Sequence, residues 1–144
     1  MKRHYGRCLV IITIPGEPVA KGRPRHTRNG HTYTPKKTRD YEALVKKHIK
    51  LQGGKIIEGP VVVRVGVYRS IPKSWSKKKK EQAISGEIVP VTRPDIDNYI
   101  KAALDASNGL LFQDDNQVVD LVTKKRYSQM PYLEIEVESY ARKS

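Results

Sequence analysis

Apolar and polar residues alternate over residues 132–138, where Leu133, Ile135 and Val137 fall on one side and Glu134, Glu136 and Glu138 on the other. A period of two predicts a strand with one buried and one wet face. Residues 61–68 place Val61, Val63, Val65 and Val67 on one face, with Arg64 interrupting the other, and residues 8–14 form a β-branched run closed by Pro15. Both read as strands, and a fourth is expected over residues 117–123. Elsewhere the spacing is helical. Tyr41, Leu44, Val45, His48 and Ile49 recur at three and four after Thr34-Pro35, and Gly53-Gly54 ends the pattern. A short helix is expected over residues 76–86, capped by Ser74 or Ser76 and stopped at Gly86. A third runs from about Asp97 to Ser107, with Ile96, Ile100, Ala103 and Leu104 as its buried stripe and Gly109 as its stop. The order β, α, β, α, α, β, β predicts one compact α/β or α+β domain over residues 1–144, a mixed sheet flanked by helices.

Composition narrows the class. Lys and Arg number 28 against 15 Asp and Glu, a formal charge of +13 on 144 residues. Such an excess points to a polyanion partner, because clustered cations gain affinity by displacing the counterions condensed on phosphate. The longest apolar run is far short of the roughly 20 residues that cross a bilayer, so no membrane partner is expected. Met1-Lys2-Arg3-His4 precedes that run, but with Pro15 and no small-residue cleavage site it makes a poor signal peptide. Cys8 is the one cysteine, and His4, His26, His31 and His48 show no zinc spacing. A reducing, cytoplasmic setting fits.

Against the basic background, acids gather in one stretch. Arg93-Pro94-Asp95-Ile96-Asp97-Asn98 leads into the third helix, Asp105 follows two turns later, and Asp114-Asp115 comes nine residues after that. Pro94 biases its entry towards extended backbone, in which the carboxylates of Asp95 and Asp97 point the same way and Ile96 faces the core. Asp97 then caps the helix, with Lys101 and Asp105 on its side at successive turns. Carboxylates held together repel unless a cation intervenes, and oxygen ligands with nothing soft nearby suit Mg²⁺ or Mn²⁺. On a basic protein that ion would meet a phosphodiester, with Lys101 neutralising charge on the phosphoryl oxygens. Spacing alone is equally satisfied by a cap, a polar turn at residues 114–116 and surface partners for Lys101.

Basic residues surround these acids in the sequence. Lys21-Gly22-Arg23-Pro24-Arg25, continuing to Arg28, is a loop or hairpin suited to following a phosphate backbone. Trp75 precedes Lys77-Lys78-Lys79-Lys80 and is either a stacking platform for unpaired bases or a core anchor.

The stretch of residues 93–105, followed by Phe112-Gln113-Asp114-Asp115-Asn116-Gln117-Val118-Val119, closely resembles the signature of the RusA family of Holliday junction resolvases. Residues 18–25, Tyr33-Thr34-Pro35 and residues 72–79 are also similar to that family, so the resemblance spans most of the chain. It implies a homodimeric RusA-like endonuclease that binds four-way DNA junctions and makes paired nicks with Mg²⁺, Mn²⁺ substituting. Carried over position by position, Asp95, Asp97 and Asp115 are the metal ligands, with Asp114 the second choice for the third. Lys101 is the catalytic lysine, Asn98 and Asp105 are supporting, and Lys21, Arg23, Arg25 and Arg93 contact DNA. Two symmetric cuts call for a two-fold protein, with the strand at residues 132–138 or another sheet edge as its interface. Two rivals stand beside this reading: a non-catalytic basic nucleic-acid-binding protein, and a metal nuclease acting on flaps or RNA.

Overall fold

A computed structural model describes residues 8–140 apart from residue 24, and it leaves the Arg25 side chain undescribed. The stretch Met1-Lys2-Arg3-His4 weighed above as a signal peptide lies outside the described residues. In chain order the elements are β1 (Leu9–Pro15), β2 (Arg25–His26), β3 (Thr32–Tyr33), α1 (Lys36–Leu51), β4 (Val61–Ser70), α2 (Lys77–Ser85), α3 (Ile96–Ser107), β5 (Val118–Ser128) and β6 (Tyr132–Ser139), with a 3-10 turn at Asp115–Gln117. The main sheet has the order β1-β6-β4-β5, with β4 and β5 parallel and the other neighbours antiparallel, so the expected mixed α+β sheet is what forms. The small β2–β3 ladder gives the basic loop its hairpin.

Period-two patterning puts the sheet's apolar face against α1 and α3. Val10, Ile12 and Ile14 align with Val137, Ile135 and Leu133, and these with Val63, Val65 and Val67 of β4. All are buried, and Tyr41, Val45 and Ile49 of α1 with Tyr99, Ile100 and Ala103 of α3 close the core above them. On the opposite face the glutamates of β6 are half-buried rather than wet, because β6 is central. Arg64 reaches across from β4 to Glu136 at 2.6 Å and Glu138 at 3.0 Å. The central place of β6 also corrects the expectation that residues 132–138 offer a sheet edge: the edges are β1 and β5.

Both short-range helix signals of α2 hold. Ser76 accepts a hydrogen bond from the Lys79 N–H at 3.2 Å, and Gly86 closes the helix at φ 86°. Trp75 is half-buried and lies outside the main core: its ring meets Tyr127 of β5 edge-on at 5.2 Å, and the Lys79 ammonium lies 4.0 Å from its centroid. Strand β5 runs five residues further than the alternation at residues 117–123 indicated, and Gln117 belongs to the 3-10 turn. No described helix is long and apolar enough to cross a membrane.

Candidate active site

Helix α3 carries most of the candidate chemistry. Pro94 follows a cis peptide, and Asp95 is the last extended residue, at φ −70° and ψ 150°, so the helix starts at Ile96. This corrects two expectations. Asp95 rather than Asp97 occupies the cap position, without a side-chain cap bond, and Asp97 sits in the first turn, where the positive end of the macrodipole favours an acid. The two carboxylates therefore do not share the face of an extended segment. Beyond them, Asp97, Lys101 and Asp105 follow at four-residue steps, about 6 Å of rise each, along the side opposite the buried Ala102, Ala103 and Ala106. Asp95, Asp97 and Lys101 are exposed, and no ion pair engages them among the described residues.

Lys21 fastens the basic loop to this helix at two points. Its backbone N–H donates to the Asn98 carbonyl at 2.9 Å, and its ammonium pairs with the Asp105 carboxylate. The hydrogen bond to Asp105 raises the Lys21 pKa above its ordinary 10.5, against a smaller opposing effect of burial. Asp105 is thus the partner of Lys21, not of Lys101 as the helical spacing suggested. The result is a cavity of about 320 Å³ lined by Lys21, Gly22, Arg23, Arg93, Asp95 and Asn98, cations and a carboxylate facing the same space.

Asp115 arrives from the far end of α3. Gly109 at φ 77° lets the chain reverse, fully buried Leu111 and Phe112 pin the return, and the 3-10 turn follows. Gln117 staples that turn: its Oε1 accepts from the Gln113 N–H at 2.7 Å, and its Nε2 donates to the carbonyls of Ile57 at 3.0 Å and Gly59 at 2.8 Å. The sequence pattern assigns Gln117 to the start of a strand, yet its place three residues after Asp114 is the spacing of a capping box, and that is the role it takes. The Asp115 carboxyl is held above its ordinary 3.8, first by desolvation, then by the charge and hydrogen bonding of Asp114 and the charge of Asp105. The structure thus brings Asp115 to Asp114 and Asp105. Among the described residues no three carboxylate, imidazole or thiol groups converge on one point, so Asp95, Asp97 and Asp115 are not gathered into a cage.

The donor set still fits a hard divalent ion in kind. Every candidate ligand is a carboxylate oxygen, while Cys8 lies beside the opposite edge strand and His48 is bonded to Gln52 on α1. Asp115 is crowded by Asp114 and Asp105, of which Asp105 is paired with Lys21, and a divalent cation would relieve it.

A family model described as endodeoxyribonuclease RusA matches residues 15–138. An uncharacterized protein of Bacillus subtilis (strain 168), YqaN, is 48% identical over 134 residues, covering 88% of this chain and 93% of that protein. The chain belongs to the RusA endodeoxyribonuclease family, and the α+β fold with its mixed sheet agrees with that membership.

Proposed function

We propose that this protein is a magnesium-dependent endodeoxyribonuclease that acts as a homodimer on four-way DNA junctions and resolves them by paired symmetric nicks. The observation that carries the reading is the bond between Lys21 and Asn98, which sets the loop's cations beside Asp95 in one cavity at the head of α3. A phosphodiester needs both kinds of group at once: cations to seat it and acids to hold the ion that activates it.

In this reading Asp95, Asp97 and Asp115, with Asp114 as the alternative to Asp115, would hold Mg²⁺ or Mn²⁺. Such an ion supplies Lewis acidity towards the phosphate oxygens and a water nucleophile at neutral pH. Lys101 meets charge developing on the phosphoryl oxygens. Asn98 and Asp105 position Lys21, and Lys21, Arg23, Arg25 and Arg93 grip the backbone of the strand being cut. Lys77 and Lys78 on α2 contact phosphates of a junction arm without reading bases. A two-fold dimer presents two such sites to two equivalent strands.

The test is cleavage of a labelled four-way junction compared with linear duplex, flap and single-stranded substrates at equal salt. Symmetric nicks in Mg²⁺, lost in EDTA while binding persists, are expected. Asp97→Asn keeps junction affinity and loses at least about 100-fold in rate, the scale of removing one charge-stabilising group. Binding without nicking under any divalent ion leaves a basic DNA-binding protein instead, and faster cutting of flaps leaves a different nuclease.

A further inference from the structure

A second, larger cavity of about 540 Å³ adjoins the candidate site and shares Ala20, Gly22, Arg23 and Pro94 with it. Its walls are the loop from Glu17 to Arg23, the first turn of α1, the end of β4 and Tyr99 of α3. Arg23, Lys37 and Arg69 face it from three different elements, against the single acid Glu17. Glu17 accepts from the Ser70 N–H at 3.2 Å. Arg69 donates Nη1 to the Thr92 carbonyl at 3.1 Å and hydroxyl at 3.2 Å, which leaves most of its five donors unused.

Two features of this cavity suit an anion. The first is the start of α1, where Pro35 gives no side-chain cap and the first turn holds no acid. Lys36 and Lys37 stand there instead, cations at the positive end of the macrodipole, where free N–H groups call for negative charge. The second is Tyr99, 2% exposed as a residue, which makes no side-chain hydrogen bond to another described residue, so its hydroxyl is free to donate to a bound group. Tyr99 lines the cavity together with Arg69 and Glu17, which puts its ring among the charges there. The shape is held by close packing: the Gly22 N–H donates to Thr38 Oγ1 at 2.9 Å, and a Cβ at Gly22 would come within 3.1 Å of the Pro35 ring.

We propose that this cavity seats a backbone phosphate of the DNA strand flanking the scissile linkage, with the first turn of α1, Lys37, Arg69 and the Tyr99 hydroxyl as its donors. The inference rests on the nuclease reading for the identity of the strand, and its test needs no cleavage. Junctions carrying one neutral methylphosphonate, walked through the linkages on either side of the cut, are titrated in EDTA by fluorescence anisotropy against wild type, Lys37→Ala and Tyr99→Phe. At one linkage the neutral group weakens wild-type binding about tenfold, the scale of one charge-assisted contact, and there alone the two variants lose nothing further. Variant losses that are the same at every linkage overturn the proposal. Displacement of the junction by millimolar inorganic phosphate or mononucleotide, acting only where Lys37 is present, would assign the cavity to a free anion and overturn the strand assignment. Lys37→Glu provides the fold control: the melting temperature is unchanged or higher while affinity falls at least about tenfold. A lowered melting temperature would mean that Lys37 serves the helix and not a ligand. If no substrate is nicked yet the position-specific coupling appears, the nuclease reading fails and this site stands; nicking with uniform losses does the reverse.

Discussion

Helices α2 and α3 are consecutive in the chain and are held in opposite ways. Helix α3 buries Tyr99, Ile100, Ala102, Ala103, Ala106 and Ser107 between α1 and the sheet, whereas α2 buries only Ala83 and leaves Ile84 half exposed. Helix α2 rests on its caps and on the contact of Trp75 with Tyr127. The contrast follows from what each carries. On the proposed reading Asp97 and Lys101 are reacting groups, which must hold their geometry to within fractions of an ångström, and an element locked by the core suits them. Lysines that meet a phosphate backbone work as point charges and tolerate a looser mount.

Disturbing the core under α3 gives the largest effect. Phe112→Ala empties a fully buried site beneath the turn that presents Asp115 and is expected to cost about 3–5 kcal/mol in urea unfolding. A loss under 1 kcal/mol would mean that this loop is not part of the cooperative core. Charge reversal on α2 should instead spare stability. Lys77→Glu with Lys78→Glu leaves the melting temperature within a degree or so, lowers junction affinity evenly across sequences and reduces the slope of log affinity on log salt by about 2. A changed base preference would show that α2 reads sequence.

The smallest effect belongs to the strap between the loop and α3. The Lys21–Asp105 pair is about a third exposed on each side, so Asp105→Asn is expected to cost about 0.5–1 kcal/mol at neutral pH. The folded-state Lys21 pKa is raised, so the pair's contribution is fully present below 10.5 and fades as pH rises through the elevated value. Wild type and Asp105→Asn should therefore converge in stability at strongly alkaline pH. A gap that persists there would trace the loss to packing.

Much of this fold could be read from local pattern, because the buried face of each inner strand shows the period of two and each helix the three-and-four spacing. Residues 124–128 escaped because the half-buried face of this edge strand is made by Thr123, Lys125 and Tyr127, which show no apolar alternation in the sequence. Strand order is a non-local property, so nothing in residues 132–138 announced that β6 lies between β1 and β4. The site divides likewise. Its acids cluster within a short stretch and were visible together, along with the family likeness they carry. The pairing of Lys21 with Asp105 joins residues 84 positions apart, and the misplaced cap at Asp97 arose from taking the extended entry two residues too far past Pro94. The local half of Gln117's role, the capping-box spacing from Asp114, is legible in the sequence, whereas its bonds to Ile57 and Gly59 join residues about 60 positions apart.

The central claim is that the acids at the two ends of this site act on one divalent ion. Anomalous diffraction from crystals of the protein grown with Mn²⁺ measures this directly. The account predicts a peak bounded by Asp95 and Asp97 on one side and Asp115 or Asp114 on the other. A peak confined to Asp105, Asp114 and Asp115, or none at saturating Mn²⁺, would contradict it.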